Sequence, residues 1–362
     1  MSSGIASILD KKVHDRSDIL AMLQCSEDET PLLYRKAAAV RDRHVGNQVF
    51  LRGLIEYSNI CGKNCLYCGV RRDNHKIERY ILSREEVLEA AMTAFRLNFG
   101  SIAIQSGENP SPAFIDTIEE LVRTIRVMTG GKLGITLSLG EQSRETYQRW
   151  FDAGAHRYLL RIEASSEALY RRVHPDDDLH RYHRRLNCLR LIQEAGYQTG
   201  SGVMVGLPFQ TMSDLADDVI FMRDFDIDMC GMGPFIEHSD TPLGARVSDN
   251  LFLRERFNLT LRMIAIMRII MKDINIVAST AMQTIDSAGR EKAVACGANV
   301  VMPNLTPARY RAGYQIYEGK PAYREVDEAN LSGLNFDLLP GTTLGLGVWG
   351  DTPHYRRRRT VS

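Results

Sequence analysis

The sequence predicts an α/β protein, a full (β/α)8 TIM-type barrel preceded by a helical extension and followed by an irregular C-terminal tail. Two observations carry this expectation. Eight short runs rich in Val, Ile and Leu alternate with stretches of helical period, over roughly the 250 residues that such a barrel needs. Polar residues also interrupt several of these runs near their C-terminal ends at a period of two, which places them on one face of a strand.

In chain order, residues 1–48 read as an N-terminal helical layer. Ser17 to Cys25 is a short apolar-periodic piece, and Glu29 to His44 is rich in Ala and Arg with Pro31 in its first turn. The strand runs are 49–59, 99–108, 132–141, 156–164, 197–206, 226–235, 274–280 and 298–304. Between them, helical period covers 83–97, 112–128, 144–153, 183–195, 211–224, 253–271 and 286–296. Ser83 with Glu86 three residues on reads as a capping box. The barrel is expected over 49–321. The tail, 322–362, is rich in Gly and Pro toward its end and reads as a meandering cover. Its run Arg356 to Arg359 is expected to be a solvated terminus rather than a nucleic-acid patch.

A doubly wound open sheet would alternate in the same way. The closed barrel is favoured by Arg52, Gln105, the pair Thr136 and Ser138, and the pair Arg161 and Glu163. In a barrel interior, such residues are tolerable around a cavity that holds a polar ligand. Outward-pointing side chains satisfied by helices are the alternative.

Composition narrows the function. The 362 residues carry 45 Lys+Arg against 45 Asp+Glu, with 44% hydrophobic residues, as an ordinary globular protein does. The balance of charge provides no overall attraction to nucleic acid or to an anionic membrane surface, so a small-molecule substrate is expected. No apolar run approaches the ~18 residues of a membrane span, and the first twenty residues lack a secretory layout; a cytoplasmic enzyme is expected. Seven cysteines, an odd number, favour metal binding or free thiols over a disulfide framework.

Three of those cysteines are clustered. Cys61, Cys65 and Cys68 form C-x3-C-x2-C directly after the first strand run. Three thiolates on one short loop can hold three corners of a 4Fe-4S cube and leave the fourth iron open. A zinc loop completed by His75 is the alternative, although structural zinc commonly draws on two Cys or His pairs and no second Cys pair is present. Cys25, Cys188, Cys230 and Cys296 stand alone and read as buried apolar residues.

With Tyr67 before its third cysteine, the loop resembles that of the radical S-adenosylmethionine (SAM) superfamily, in which the open iron chelates SAM and an electron cleaves it to a 5'-deoxyadenosyl radical. Gln105-Ser106-Gly107-Glu108 is similar to the superfamily's GGE segment, with Ser in place of the first glycine, and Gly202 to Pro208 is similar to the segment that packs on adenine. Within the superfamily the chain resembles the HydE family of FeFe-hydrogenase maturases, relatives of biotin synthase and of the methylornithine synthase PylB. That resemblance runs from about residue 30 to 325 and rests on segments including 57–74, 104–108, 136–141, 157–164, 184–189, 205–208, 228–243, 279–282, 298–307 and 310–320.

The resemblance implies that Cys61, Cys65 and Cys68 ligate one 4Fe-4S cluster and that Tyr67, Gln105, Arg161, Glu163, Arg185 and Met229 surround the cluster and SAM. Arg suits the SAM carboxylate, and Glu163 can accept from ribose hydroxyls or balance the sulfonium. It implies further that Arg52, Thr136, Ser279, Thr280, Tyr314 and Tyr317 line a cavity for a small anionic substrate. Alternatives stay open at single positions: an internal Arg161–Glu163 ion pair, core packing for Met229, and barrel plugs for the tyrosines. Some relatives carry a second cluster, but nothing after Cys296 is a cysteine, so one is expected. The activity implied is maturation of the hydrogenase H-cluster from an iron-carbonyl-cyanide cysteine complex, with a reductant such as flavodoxin or ferredoxin and other hydrogenase maturases as partners. A paralogue acting on an amino-acid-like molecule, by a PylB-type or biotin-synthase-type reaction, is the first alternative. A non-enzymatic metal scaffold is the second.

Overall fold

The computed structural model describes residues 4–246, 252–321 and 341–361. Eight strands form the barrel: β1 Gln48–Ser58, β2 Ser101–Ser106, β3 Gly134–Ser138, β4 Arg157–Leu159, β5 Gln198–Ser201, β6 Met229–Cys230, β7 Asn275–Ala278 and β8 Val300–Val301. Each pairs in parallel with the next, and β8 returns to β1 through Phe50↔Val300 and Leu51↔Val301. The sheet is therefore closed, as the alternation predicts.

The helices are α1 Ile5–Leu9, α2 Arg16–Leu23, α3 Thr30–His44, α4 Arg84–Arg96, α5 Pro112–Met128, α6 Arg144–Ala153, α7 Glu167–Val173, α8 Tyr182–Glu194, α9 Met212–Asp224, α10 Leu253–Ile270, α11 Thr280–Ile285, α12 Gly289–Ala295, α13 Ala308–Arg311 and α14 Pro353–Val361. The long ones fall where helical period is seen. The unanticipated α1, α7, α11 and α13 span two turns or less, too short for period to distinguish them from a strand or a turn. The Ser83–Glu86 capping box is present, with Glu86 N donating to Ser83 Oγ at 3.2 Å and Ser83 N to Glu86 Oε2 at 2.8 Å.

Alternation along the strands decides which residues see the cavity. Ile102, Ile104, Ile135, Leu137, Tyr158, Leu160 and Ile162 are buried in the core beneath the helices. Each such burial stabilises by roughly 1.5–3 kcal/mol, and a one-residue slip would expose the whole set. That register turns Gln105, Thr136, Ser138, Arg161 and Glu163 to the opposite, inner face. Several ladders are shorter than their apolar runs. After β5 the chain bends, and Met204–Val205 pairs instead with Gly233–Pro234. Gly202 is required at this crossing, because a Cβ there would collide with the Gly231 carbonyl.

The N-terminal helices lie against the outer helices. Arg41 Nη1 donates to the Val294 carbonyl at 2.6 Å, Arg262 Nη1 to the Leu23 carbonyl at 2.9 Å, and Arg16 pairs with Asp217 at 2.6 Å.

The tail is more ordered than its composition suggests. Its described part begins with β9, Thr343–Gly345, which pairs in parallel with Gln48–Phe50 of β1. The next residues close the floor of the barrel. Arg157 Nη2 donates to Asp351 Oδ1 and to the Trp349 carbonyl, both at 2.5 Å; Gln198 Nε2 donates to Asp351 Oδ1 at 2.6 Å and Asn275 Nδ2 to the Gly350 carbonyl at 2.7 Å. Of the terminal arginines, Arg356 and Arg357 are exposed, as expected, but the exposed Arg357 is ion-paired with Asp273, and half-buried Arg358 has Nη2 2.7 Å from Asp228 Oδ2, because α14 passes over these buried carboxylates. No helix among the described residues is long and apolar enough to cross a membrane.

Candidate active site

The cysteine loop leaves the C-terminal end of β1 and is held by its backbone on three sides. Gly62 N donates to the Glu108 carbonyl at 2.8 Å, Leu66 N to the Val173 carbonyl at 3.1 Å and Gly69 N to the Ile316 carbonyl at 2.9 Å. Asn64 N donates to His180 Nε2 at 2.8 Å. Cys61, Cys65 and Cys68 are all free and partly exposed, and Glu108 N points at Cys61 Sγ from 3.3 Å. Burial pushes the Cys65 thiol up to about 12 and raises those of Cys61 and Cys68. Left to themselves the three would stay protonated at neutral pH, so binding as thiolates needs the positive charge of a metal. Among the described residues no three His, Cys, Asp or Glu side chains are grouped to hold a metal ion. Thiols spread along a loop in this way suit a multi-iron cluster, which takes one thiolate per iron, better than a single zinc ion.

Behind the loop is a charge network that sequence reasoning missed. Lys63, between the first two cysteines, is buried with Nζ 2.9 Å from Glu141 Oε2 and 3.5 Å from Glu108 Oε1, and it also donates to the Leu179 carbonyl. Glu141 follows β3. Its Oε1 accepts from Arg185 Nε at 2.6 Å and its Oε2 from Arg184 Nε at 2.8 Å, while its own N–H donates to Glu108 Oε2 at 2.7 Å. Burial alone would lift the Glu141 carboxyl, but Arg185 and Lys63 hold it below the usual carboxylate range. The segment 174–180 was missed too. His174 stacks on Tyr170 at 3.9 Å, and its Nδ1 lies 2.9 Å from the Tyr170 carbonyl. Burial pushes it down to about 3, so Nδ1 carries the proton and Nε2 accepts from Tyr67 O–H at 3.1 Å.

Of the remaining side chains expected around SAM, Arg161, Glu163 and Arg185 lie together, whereas Gln105 and Met229 have other neighbours. Arg161 Nη2 donates to the Val203 carbonyl at 2.8 Å and lies 2.9 Å from Glu163 Oε2. Arg185 is buried, and its Nη1 donates to the Arg161 carbonyl at 2.5 Å. The Arg161–Glu163 ion pair read as an alternative thus exists, yet it leaves Arg161 Nε and Glu163 Oε2 without hydrogen bonds. Glu163 also has φ +66°, a left-handed conformation that costs of order 1–3 kcal/mol for such a residue and collects at functional sites. Gln105 lies next to Tyr314. Met229 is buried, with its sulfur 3.0 Å from Arg52 Nη1.

Deeper in the barrel Arg52 is 2% exposed, and among the described residues its Nε and Nη2 have no partner. Burial, then Arg157, push its pKa well down. Thr136 Oγ1 and Ser279 Oγ are likewise buried and unpartnered. Thr280 instead accepts from Arg290 Nη2 at 3.0 Å. Tyr314 is buried under Lys320, whose Nζ lies 5.4 Å from the ring centroid, and Tyr317 is half-buried in the same segment. Lys320 Nζ also meets Glu56 Oε1 at 2.6 Å, tying the segment 314–320 to β1. Charge is thus balanced at Arg185 by Glu141, at Arg161 by Glu163 and at Lys320 by Glu56. Among the described residues Arg52 pairs with no carboxylate.

Comparison with known proteins identifies the family. The family model for the radical SAM superfamily matches residues 55–222. The chain is 47% identical over 297 residues to the [FeFe] hydrogenase maturase subunit HydE of Thermotoga maritima, covering 82% of each protein. It is 31% identical over 315 residues to 3-methylornithine synthase of Methanosarcina acetivorans, covering 86% of this chain and 85% of the relative. The crystal structure of methylornithine synthase (PylB) superposes with a TM-score of 0.71 at 25% identity, over 82% of this chain and 85% of that one. The chain belongs to the HydE family of radical SAM enzymes, which work with a 4Fe-4S cluster and S-adenosylmethionine.

Proposed function

We propose that this enzyme is a HydE-type maturase, acting on an iron-carbonyl-cyanide cysteine complex on the path to the diiron subcluster of the FeFe-hydrogenase H-cluster. In this reading Cys61, Cys65 and Cys68 hold the cluster, Gln105, Arg161, Glu163, Arg185 and Met229 hold SAM, and Tyr67 packs beside the cysteine loop. When bound, cluster and SAM supply a 5'-deoxyadenosyl radical by reductive cleavage. Around it the barrel excludes water and stray C–H bonds, and the inner side chains fix the target in reach of the radical.

The observation that carries the substrate class is Arg52. A buried guanidinium with two nitrogens that find no partner among the described residues costs several kcal/mol unless an anion meets it, and in this reading the buried hydroxyls of Thr136 and Ser279, which also lack partners there, would face the same ligand. A small anionic ligand satisfies all three. Thr280, Tyr314 and Tyr317 would complete its walls. The 47% identity to the Thermotoga maritima HydE favours the metal-complex substrate over an amino-acid-like one. Other hydrogenase maturases, a flavodoxin- or ferredoxin-like reductant and a cytoplasmic location belong to the same reading.

The test is anaerobic. The chain is reconstituted with iron and sulfide and reduced, and its EPR spectrum is recorded with and without SAM while 5'-deoxyadenosine is assayed with the iron-carbonyl-cyanide cysteine complex and with ornithine- or lysine-like molecules. A spectrum that shifts with SAM, and turnover of the iron complex, are expected. Turnover of the organic molecules alone would replace the maturase reading. A cluster indifferent to SAM would remove the enzyme reading altogether. Arg161→Ala should weaken SAM binding by about tenfold or more while leaving iron content unchanged; unchanged affinity would place that side chain elsewhere.

A further inference from the structure

We propose that Glu141 is a positioning residue that links the cysteine loop to the arginines of α8, so that the cluster loop and the SAM-binding wall are set by one buried carboxylate. This rests on the functional reading above, in which the loop holds the cluster and Arg185 faces SAM.

The geometry carries the argument. The Glu141 side chain has no solvent exposure. One of its oxygens is taken by Arg185 Nε at 2.6 Å, and the other is shared by Lys63 Nζ at 2.9 Å and Arg184 Nε at 2.8 Å. Lys63 is part of the cysteine loop itself, whereas Arg184 and Arg185 belong to α8, and Glu141 follows β3. Among the described residues Glu141 is the only carboxylate paired with Arg185. Lys63 has one other, Glu108, at 3.5 Å, and Glu108 is itself held by Glu141 N–H at 2.7 Å. Every charged contact of Lys63 therefore runs through Glu141 or through a group that Glu141 orients.

A carboxylate with both oxygens engaged by cations from two elements cannot turn to follow one without releasing the other. In a buried, low-dielectric setting such contacts are strong and the cost of breaking one is high. Displacement of the loop at Lys63 is thereby felt at Arg185, and the position of Arg185 at the loop. Partners of this kind around a metal site, which touch neither metal nor substrate, commonly alter affinity by about 10–100-fold when removed. Glu141 stands one contact behind the residues assigned to the cofactors, touching Arg185 and the Lys63 of the cysteine loop. Its role is to fix those residues.

The test uses the full chain, reconstituted anaerobically, with Glu141→Gln, Lys63→Met, Lys63→Arg and the double variant Lys63→Met/Glu141→Gln. Iron content, the SAM dissociation constant by titration calorimetry and the EPR spectrum of the reduced cluster before and after SAM are measured on each. Glu141→Gln should keep its iron, bind SAM about tenfold or more weakly and show an altered cluster spectrum even without SAM. Lys63→Met should also weaken SAM binding, although it sits on the loop, and Lys63→Arg should restore it. The double variant should bind SAM no more weakly than Glu141→Gln alone, the non-additivity of two groups acting through one contact. Additive losses, or wild-type SAM affinity and spectrum in Glu141→Gln, would overturn the coupling. Should Glu141→Gln not fold, Lys63→Met decides alone: wild-type SAM affinity in that variant overturns the proposal. A wild-type chain that takes up no iron and binds no SAM would overturn the functional reading, and this inference with it.

Discussion

Two arginines on the inner wall of the same barrel have opposite company. Arg157, near the floor, meets Asp351 and the Trp349 carbonyl of the C-terminal tail at 2.5 Å. Among the described residues Arg52 has as hydrogen-bond partner a methionine sulfur at 3.0 Å. Burial lowers the pKa of both guanidiniums; Asp351 offsets part of this at each, by a hydrogen bond as well as by charge at Arg157, and at Arg52 the neighbouring Arg157 adds to the lowering. Both leave two guanidinium nitrogens without partners among the described residues, but Arg157 has a carboxylate of the chain itself and Arg52 has none there. A buried charge that serves the fold is paired; one left unpaired reserves its partner's place for a ligand. Two buried aspartates repeat the contrast. Each leaves one oxygen without a partner among the described residues, but Asp228 near the floor has the cation of Arg358 of the tail, while Asp218 of α9 accepts from Ser165 N at 2.8 Å.

The largest effect is expected at the mouth. Cys65→Ala should prevent normal cluster formation and abolish deoxyadenosine production, measured by iron content, EPR and chromatography; a variant that still cleaves SAM at the wild-type rate would remove Cys65 from the ligand set. On the floor, Asp351→Ala strands Arg157 and should lower the unfolding free energy by about 2–3 kcal/mol, discounted because Asp351 is a quarter exposed. SAM affinity should be unaffected. A loss of SAM binding as large as the loss of stability would erase the distinction between floor and mouth.

A pH slope comes next. Burial pushes the Asp218 carboxyl up to about 7, while in the unfolded chain it titrates near ~4. Between these values the folded state binds the proton and the unfolded state does not, so stability falls as pH rises from about 4 to about 7. Asp218→Asn should remove that part of the slope, read as the wild-type-minus-variant difference in urea midpoint across the window; identical slopes would show that Asp218 is ionised in the fold. The smallest change in stability, about 1 kcal/mol, is expected at Arg52→Met, and its sign is opposite to that at the floor. Removing an unmatched buried charge should stabilise the ligand-free protein, while deoxyadenosine formation continues and consumption of the anionic substrate stops. A destabilised Arg52→Met would mean that the guanidinium serves the fold after all.

Much of this was legible in the sequence, and the exceptions share a cause. The long helices and the positions of all eight strands follow from local period, since the apolar faces must be buried wherever the elements pack. The inner face was legible through pairs two residues apart, Thr136 with Ser138 and Arg161 with Glu163. The cysteine loop was legible because its three ligands are nearly contiguous. Lys63 lies inside that loop, yet its partner Glu141 is 78 residues away. Arg157 and Asp351 are separated by 194 residues, and Arg357 and Arg358 meet Asp273 and Asp228, which lie 84 and 130 residues away. Nothing in a charged residue's neighbours along the chain reports whether it will be buried or what it will meet.

The sequence by itself determined the closed α/β architecture, the cluster loop and the chemistry that loop supports, because period and short-range spacing act within a few residues. Only the tertiary structure decided which charges are matched: that Glu141 meets cations of both the loop and α8, that Asp351 meets Arg157 at the floor, and that Arg52 pairs with no carboxylate among the described residues. Charge pairing in a buried interior depends on distances between elements far apart in the chain, and closure of the barrel is what sets those distances.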